Sequence, residues 1–250
     1  MKHWYKLTFE KVFFCVLLLL LALNFFSAFV KDDLLMNSSI ALFIPVFLVF
    51  FFLKHSYISF PFISFLIFSF LGDISYYFFP QESLLNVSSI LYILSYTQLL
   101  IIILPKFKVL EVDKIIGVYL LVVITINLYF LYTIYEILKT IIPEQTEVLL
   151  IAVKSFTLII LGFTSFAVYL NTQTKQSILF LVISICFGFS AVINYVGYYY
   201  LYDWSFVMLD RATYILGLYF LFKHLINENK ERMPVEVNEN EKFSSNNILA

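Results

Sequence analysis

Charge is scarce in this chain. Only 13% of its 250 residues are Asp, Glu, Lys or Arg, about half the share of an ordinary soluble domain. A soluble fold of this length needs a polar surface, and these residues cannot cover one. The net charge of −1 offers no basic footprint for nucleic acid. Cysteine is nearly absent too. Cys15 and Cys186 both sit inside apolar runs, so no disulfide framework is implied. The three histidines, His3, His55 and His224, are far apart at the ends of apolar runs. None has metal-ligand spacing, so neither a metal nor another cofactor is expected. Six glycines and six prolines are too few for a collagen-like chain.

Apolar residues fill the space. They make up 62% of the chain, with 30 Phe and 18 Tyr. A bilayer core of roughly 30 Å takes about 20 apolar residues per helix. Eight segments reach that length, at 12–30, 34–53, 58–79, 84–104, 115–135, 148–170, 178–200 and 204–225. Charge or proline marks the breaks, at Lys31-Asp32-Asp33, Lys54-His55, Pro80-Gln81-Glu82, Pro105 to Lys114, Lys139 to Glu147, Asn171 to Lys175, and Asp203. The first segment is long for a signal peptide and ends without a small-residue cleavage pattern, so it reads as a retained helix. The expected fold is all-α, a polytopic bundle of eight transmembrane helices over 12–225. A short N-terminal segment (1–11) precedes it, and a polar, Asn- and Ser-rich tail (226–250) that reads as disordered follows.

Alternating the loops between two sides separates the basic residues. Twelve fall on the side of both termini, and two, Lys31 and Lys139, fall on the other. By the positive-inside rule both termini are expected in the cytoplasm, with the chain in an inner or plasma membrane.

Four ionisable residues interrupt the apolar helices: Asp73, Lys154, Asp210 and Arg211. Such groups are costly in hydrocarbon and need a partner, a cavity or a function. At the helical rise, Asp73 lies about 24 Å beyond Tyr57. Lys154 and Asp210 each lie about 10 Å in from the opposite edge. All three therefore occupy the same half of the bilayer. Helical spacing extends each into a polar stripe. Ser69, Asp73 and Tyr76 or Tyr77 share one face, as do Ser88, Tyr92, Ser95 and Tyr96 on the next helix. Thr125, Tyr129, Tyr132 and Glu136 form a third stripe, Lys154, Thr157 and Thr164 a fourth, and Asp210, Tyr214 and Gly217 a fifth. Together these stripes are expected to line one polar cavity. The bland alternative is ordinary interhelical hydrogen bonding, with Lys154 paired to an aspartate. The run Tyr198-Tyr199-Tyr200 reads as an interfacial belt.

The run Phe70-Leu71-Gly72-Asp73 in the third helix resembles the Gly-Asp motif of the YhhN, or lysoplasmalogenase-like, membrane family. Cys186 to Ala191 is similar to that family's Leu-Phe-x-x-Ser-Asp motif. Thr213-Tyr214 with Leu225-Ile226 resembles its closing pattern. The resemblance implies hydrolysis of the vinyl ether bond of a lysoplasmalogen, with membrane lysolipid as substrate and Asp73 as one of two carboxylates. Two positions depart from the family: Ala191 stands at the second aspartate, and Tyr96 stands about where the family has a histidine. Asp210 lies at a compatible depth to replace the lost carboxylate. The candidate site is then Asp73 and Asp210 as catalytic pair, with Lys154, Tyr96, Tyr214 and Ser190 contacting substrate. A non-enzymatic transporter, a lipid or small-ligand sensor, and a subunit of a larger complex are the competing readings, and the sequence gives no oligomeric state.

Overall fold

The computed structural model describes residues 2–30, 32–54, 58–79, 82–107, 114–200 and 203–246. Side chains are described for those between 11 and 228, apart from 33, 54, 82–84, 115 and 116. The expected breaks at Lys31, His55, Pro80-Gln81 and 108–113 lie outside the described residues, as do residues 247–250 of the tail. The elements are α1 (Lys2–Val30), α2 (Asp33–Ala41), α3 (Phe43–Lys54), α4 (Phe60–Phe78), α5 (Glu82–Ile103), α6 (Lys114–Ile141), α7 (Gln145–Thr172), α8 (Lys175–Tyr199) and α9 (Trp204–Asn246), with a 3₁₀ turn at Leu104–Lys106. Among the described residues, eight stretches are long and apolar enough to cross a membrane, and they coincide with the eight expected segments to within a few residues, save at the end of the fifth.

Local chemistry sets several boundaries. Asp32 caps α2 by accepting from the Leu35 amide, and Thr174 and Ser177 form a capping box at α8. Pro61 sits in the first turn of α4, where its missing N–H is harmless. Gln173 closes α7 in the left-handed region, at φ 47°. The second span, Leu34–Leu53, is made of two helices rather than one. It breaks at Leu42, between α2 and α3. Pro45 is the cause, since it offers no N–H to the Ala41 carbonyl one turn earlier.

α9 does not end where the apolar run ends. Its backbone continues as helix to Asn246, across residues whose composition reads as a disordered tail. The Glu and Lys of that stretch are good helix formers.

The bundle has two distinct ends. One holds an aromatic core, with Phe13 stacked on Phe222 at 4.1 Å and Phe47 edge-on to both, at 5.9 and 5.6 Å. The other end is polar. There Asn24 of α1, fully buried, donates to Ser39 Oγ at 2.9 Å and to the Met36 carbonyl at 3.2 Å, tying α1 to α2. Asn37 donates to the Tyr77 carbonyl at 2.8 Å, tying α2 to α4. Serine pairs clasp the central helices: Ser69 with Ser95 at 2.6 Å, and Ser165 with Ser184 at 2.8 Å. These short contacts bring backbones close, as small polar residues do between membrane helices. α6 stands apart and packs mainly on α7. Only 6% of its span window is buried, against 28% or more for every other span.

Candidate functional site

The polar end of α4, α5, α7, α8 and α9 encloses a small cavity of about 60 Å³. Asp73, Lys154, Asp210, Arg211, Tyr96, Tyr214 and Ser190 all line it, so every candidate residue from the sequence meets there. Asp73, Asp210 and Arg211 are buried. The geometry around Asp73 starts from its glycine neighbour. A Cβ at Gly72 would stand 3.3 Å from the Tyr92 ring. With glycine there, the Tyr92 ring lies across α4 and its hydroxyl donates to Asp73 Oδ1 at 2.6 Å. Ser88 adds a bond to the Gly72 carbonyl at 3.0 Å. Asp73 Oδ2 is buried and has no hydrogen-bond partner among the described residues, and neither does the Tyr214 hydroxyl.

Asp210 is held differently. Ser190 donates to its Oδ1, and Asn194, one turn along α8, donates to Oδ2 at 3.2 Å. Arg211 Nη2 stands 3.6 Å from Oδ2, and the guanidinium lies over the Tyr77 ring at 4.4 Å. Both oxygens of Asp210 therefore have donors, whereas Asp73 Oδ2 has none within hydrogen-bond geometry, with the Tyr214 hydroxyl the group beside the carboxyl. Lys154 makes no salt bridge with either aspartate among the described residues. Its ammonium sits 5.7 Å from the centre of the Tyr92 ring, so the closed Lys–Asp pair is not the arrangement found.

A second and much larger space adjoins this one. A groove of about 660 Å³ runs between α5, α6, α7 and α8, within the size range of small-molecule sites. Its wall is apolar for most of its length, with residues such as Phe130, Leu158, Phe163 and Phe189. Gly162 and Gly188 widen it, since a Cβ at either would meet nothing within 4 Å. Tyr76, Ser89, Lys154, Ala191 and Asn194 border both spaces. The groove and the polar cavity are thus adjacent compartments with a shared rim. On the groove wall Tyr199 donates to Glu147, and Tyr198 lies beside the rim residue Tyr76, ring centres 6.2 Å apart. Two of the three tyrosines read as an interfacial belt are therefore part of the groove.

No family model, curated protein or solved structure matches this chain. The site stands on its own geometry.

That geometry departs from the sequence reading at several places. Ser69, Ser95 and Thr164 of the expected stripes do not line the cavity, and Ser69 and Ser95 bond to each other instead. The stripe Thr125, Tyr129, Tyr132 and Glu136 does not join the cavity. Its members are exposed on the outer side of α6, because the opposite face of that helix, with Asn127 and Phe130, lines the groove. Thr157 bonds back to the Val153 carbonyl of its own helix at 2.9 Å. Gly217 packs under Phe187 instead of facing the cavity. Asn194 was missed, although its place one turn after Ser190 was a usable signal. The groove had no signal, since its apolar wall reads like any other membrane helix surface.

Proposed function

We propose that this protein is a multi-pass membrane hydrolase acting on a single-chain amphiphilic lipid, of the lysoplasmalogenase-like type, with both termini cytoplasmic. One observation carries the reading: a lipid-sized apolar groove shares its rim with a polar cavity holding two carboxyl groups. An acyl or alkenyl chain would lie in the groove. The first bonds of its head would then reach the cavity, with Lys154 on the rim to meet a phosphate.

Vinyl ether hydrolysis needs an acid and a base. Asp73 Oδ2, without a partner, suits the acid and delivers its proton to the alkene carbon remote from the ether oxygen. The alkene electron pair forms the new C–H bond, leaving an oxocarbenium ion. Asp210, held by Ser190 and Asn194, takes a proton from water as that water adds to the cation. As the hemiacetal C–O bond breaks, Asp210 gives its proton to the departing ether oxygen and the hemiacetal hydroxyl gives its own to Asp73, so a fatty aldehyde and a glycerophospho-alcohol leave and both carboxyl groups return to their starting states. In this scheme Asp210 of α9 supplies the carboxylate that Ala191 lacks.

Ala191 also favours a second reading, in which the site binds the lipid without cleaving it, as a sensor or transporter would. The test is the purified protein in liposomes carrying a lysoplasmalogen, with aldehyde release measured. Release lost in Asp73→Asn and Asp210→Asn supports hydrolysis. Tight binding of the lysolipid with no aldehyde from the parent protein supports the binding role. Neither release nor binding overturns both.

A further inference from the structure

Among the described residues that line the groove, Lys154 is the only cation. It does not stand at an end of the groove. α7 turns one continuous face to it, with Glu147, Ile151, Lys154, Leu158, Gly162 and Phe166 following at steps of three and four. From Lys154 this face runs on for about 18 Å to Phe166, and Leu158, Gly162 and Phe166 put no polar side chain on that stretch. In the other direction it reaches Glu147 after about 10 Å. An alkyl chain lying against Phe166, Gly162 and Leu158 therefore brings its head carbon to the level of an amine.

That amine is not committed to a structural pair. Lys154 is half-buried, yet among the described residues its ammonium has neither a hydrogen bond nor an ion pair. It faces the Tyr92 ring, 5.7 Å from the ring centre. A cation placed so in a membrane helix is costly and points to a function. The other cation of the site is placed differently, since Arg211 stands 3.6 Å from Asp210 and lies over the Tyr77 ring. Lysines set in apolar pockets serve as nucleophiles toward carbonyl carbon. Proton carriers are close by, because Lys154 shares the rim of the cavity that Asp73 and Asp210 line.

We propose that Lys154 is a covalent site for a long-chain aldehyde, which it holds as a Schiff base with the alkyl chain in the groove. The inference rests in part on the proposed reaction, which releases such an aldehyde at this place, but the same site takes a long-chain aldehyde arriving from the membrane. The step needs no oxidant or reductant. Lys154 passes one proton to Asp210 across the shared cavity. Its lone pair forms the N–C bond as the carbonyl π pair moves onto oxygen, and that oxygen takes a second proton from the nitrogen. Asp210 then returns its proton to the hydroxyl, the C–O bond breaks and one water leaves. The nitrogen keeps its last proton as an iminium, so one ammonium and one aldehyde give one iminium and one water, and Asp210 is again a carboxylate. Hydrolysis reverses the step, so the aldehyde is held and later released.

The test uses the whole chain in phosphatidylcholine liposomes with hexadecanal and sodium cyanoborohydride, which reduces the iminium to a stable secondary amine. Peptide mass spectrometry locates the hexadecyl group. Labelling of Lys154 is expected at least about tenfold above that of Lys139 and Lys175, two exposed lysines, because the groove holds the carbonyl beside the amine. Propanal has no chain to fill the groove and should lose the preference. Gly162→Leu should fill the groove and lower hexadecanal labelling of Lys154 several-fold, with Lys139 labelled as before. A second arm replaces hexadecanal by a lysoplasmalogen with a hexadecenyl chain. An adduct from the lysolipid supports this site and the hydrolysis together, whereas an adduct from hexadecanal alone keeps the site and counts against the hydrolysis. Labelling of Lys154 no higher than that of Lys139 in both arms, or an equal preference with propanal, overturns the Schiff-base site whatever the aldehyde-release assay shows.

Discussion

Replacing Gly217 by alanine adds one methyl group at the crossing of α8 and α9. That methyl would stand 2.8 Å from Phe187 Cε1 and 3.1 Å from Cδ1, with Cys186 Cβ at 3.3 Å. Phe187 is fully buried and has little room to retreat. Its ring centre lies 5.5 Å from that of Phe65, 5.6 Å from Tyr214 and 6.4 Å from Tyr96. Overpacking of this kind costs about 1–3 kcal/mol. Alanine recovers about 1 kcal/mol of helix propensity, so the net loss should be about 0–2 kcal/mol. The same chemical change at Gly188 serves as control, because nothing lies within 4 Å of its Cβ position. There only the propensity gain applies, up to about 1 kcal/mol. The two variants should therefore differ by the overpacking cost, about 1–3 kcal/mol. At roughly 2–4 °C per kcal/mol for a chain of this size, that separates their Tm values by about 2–12 °C. Thermal unfolding in one detergent, followed by tryptophan and tyrosine fluorescence, reads the difference. Tyr96 and Tyr214 line the cavity, so Gly217→Ala should also reduce lysolipid affinity. Equal Tm values for the two variants would show that the α8–α9 crossing is looser than these distances imply.

Three further outcomes are expected. Ser190→Ala should cost about 1.5–3 kcal/mol, the range for a hydrogen bond to a charged group, and the loss should shrink in the Ser190→Ala/Asp210→Ala double variant. Additive losses in that cycle would deny the coupling. Ala191→Asp placed in an Asp210→Asn background should restore part of the aldehyde release, because residue 191 borders both groove and cavity; a folded double variant with none would put residue 191 away from the reacting centre. A reporter joined after Ala250 should report the cytoplasmic side, following the twelve-to-two division of loop lysines and arginines. An extracytoplasmic signal would invert the assignment.

The spans were legible because a bilayer leaves so little choice: an apolar run either reaches across or does not. The site charges were legible for a related reason. Asp73, Lys154, Asp210 and Arg211 cannot be left in hydrocarbon cheaply, and depth along the helix already put three of them at one level. Direction was another matter. Helical spacing grouped Thr125, Tyr129, Tyr132 and Glu136 correctly on one face of α6, but it cannot say which way that face turns. A polar face at membrane depth can look into its own bundle or toward another one, and both satisfy the same spacing. The groove left no trace at all. Residues such as Leu158 and Phe163 are apolar whether they meet lipid, a ligand or a neighbouring helix, and the bilayer removes the contrast that marks a pocket in a soluble protein. The end of α9 was hidden differently, because apolar content measures where a helix leaves the membrane and not where it stops being helical.

The break at Leu42 has a mechanical side. α2 is fastened to α1 and α4 at the polar end through Asn24, Ser39 and Asn37, while α3 is wedged among the rings of Phe13 and Phe222 at the other. The Pro45 N–H is missing between them, yet the Leu42 amide still bonds the Ser38 carbonyl at 3.2 Å and the Val46 amide the Leu42 carbonyl at 3.0 Å. The span therefore has two separate anchorages, one per leaflet, joined by a stretch that lacks one rung of its helical ladder. α9 is the contrasting rod. It carries Asp210 and Arg211 at the polar end and is helical without a proline across its whole span, Trp204–Glu228, so one continuous hydrogen-bonded ladder links the cavity to the opposite face.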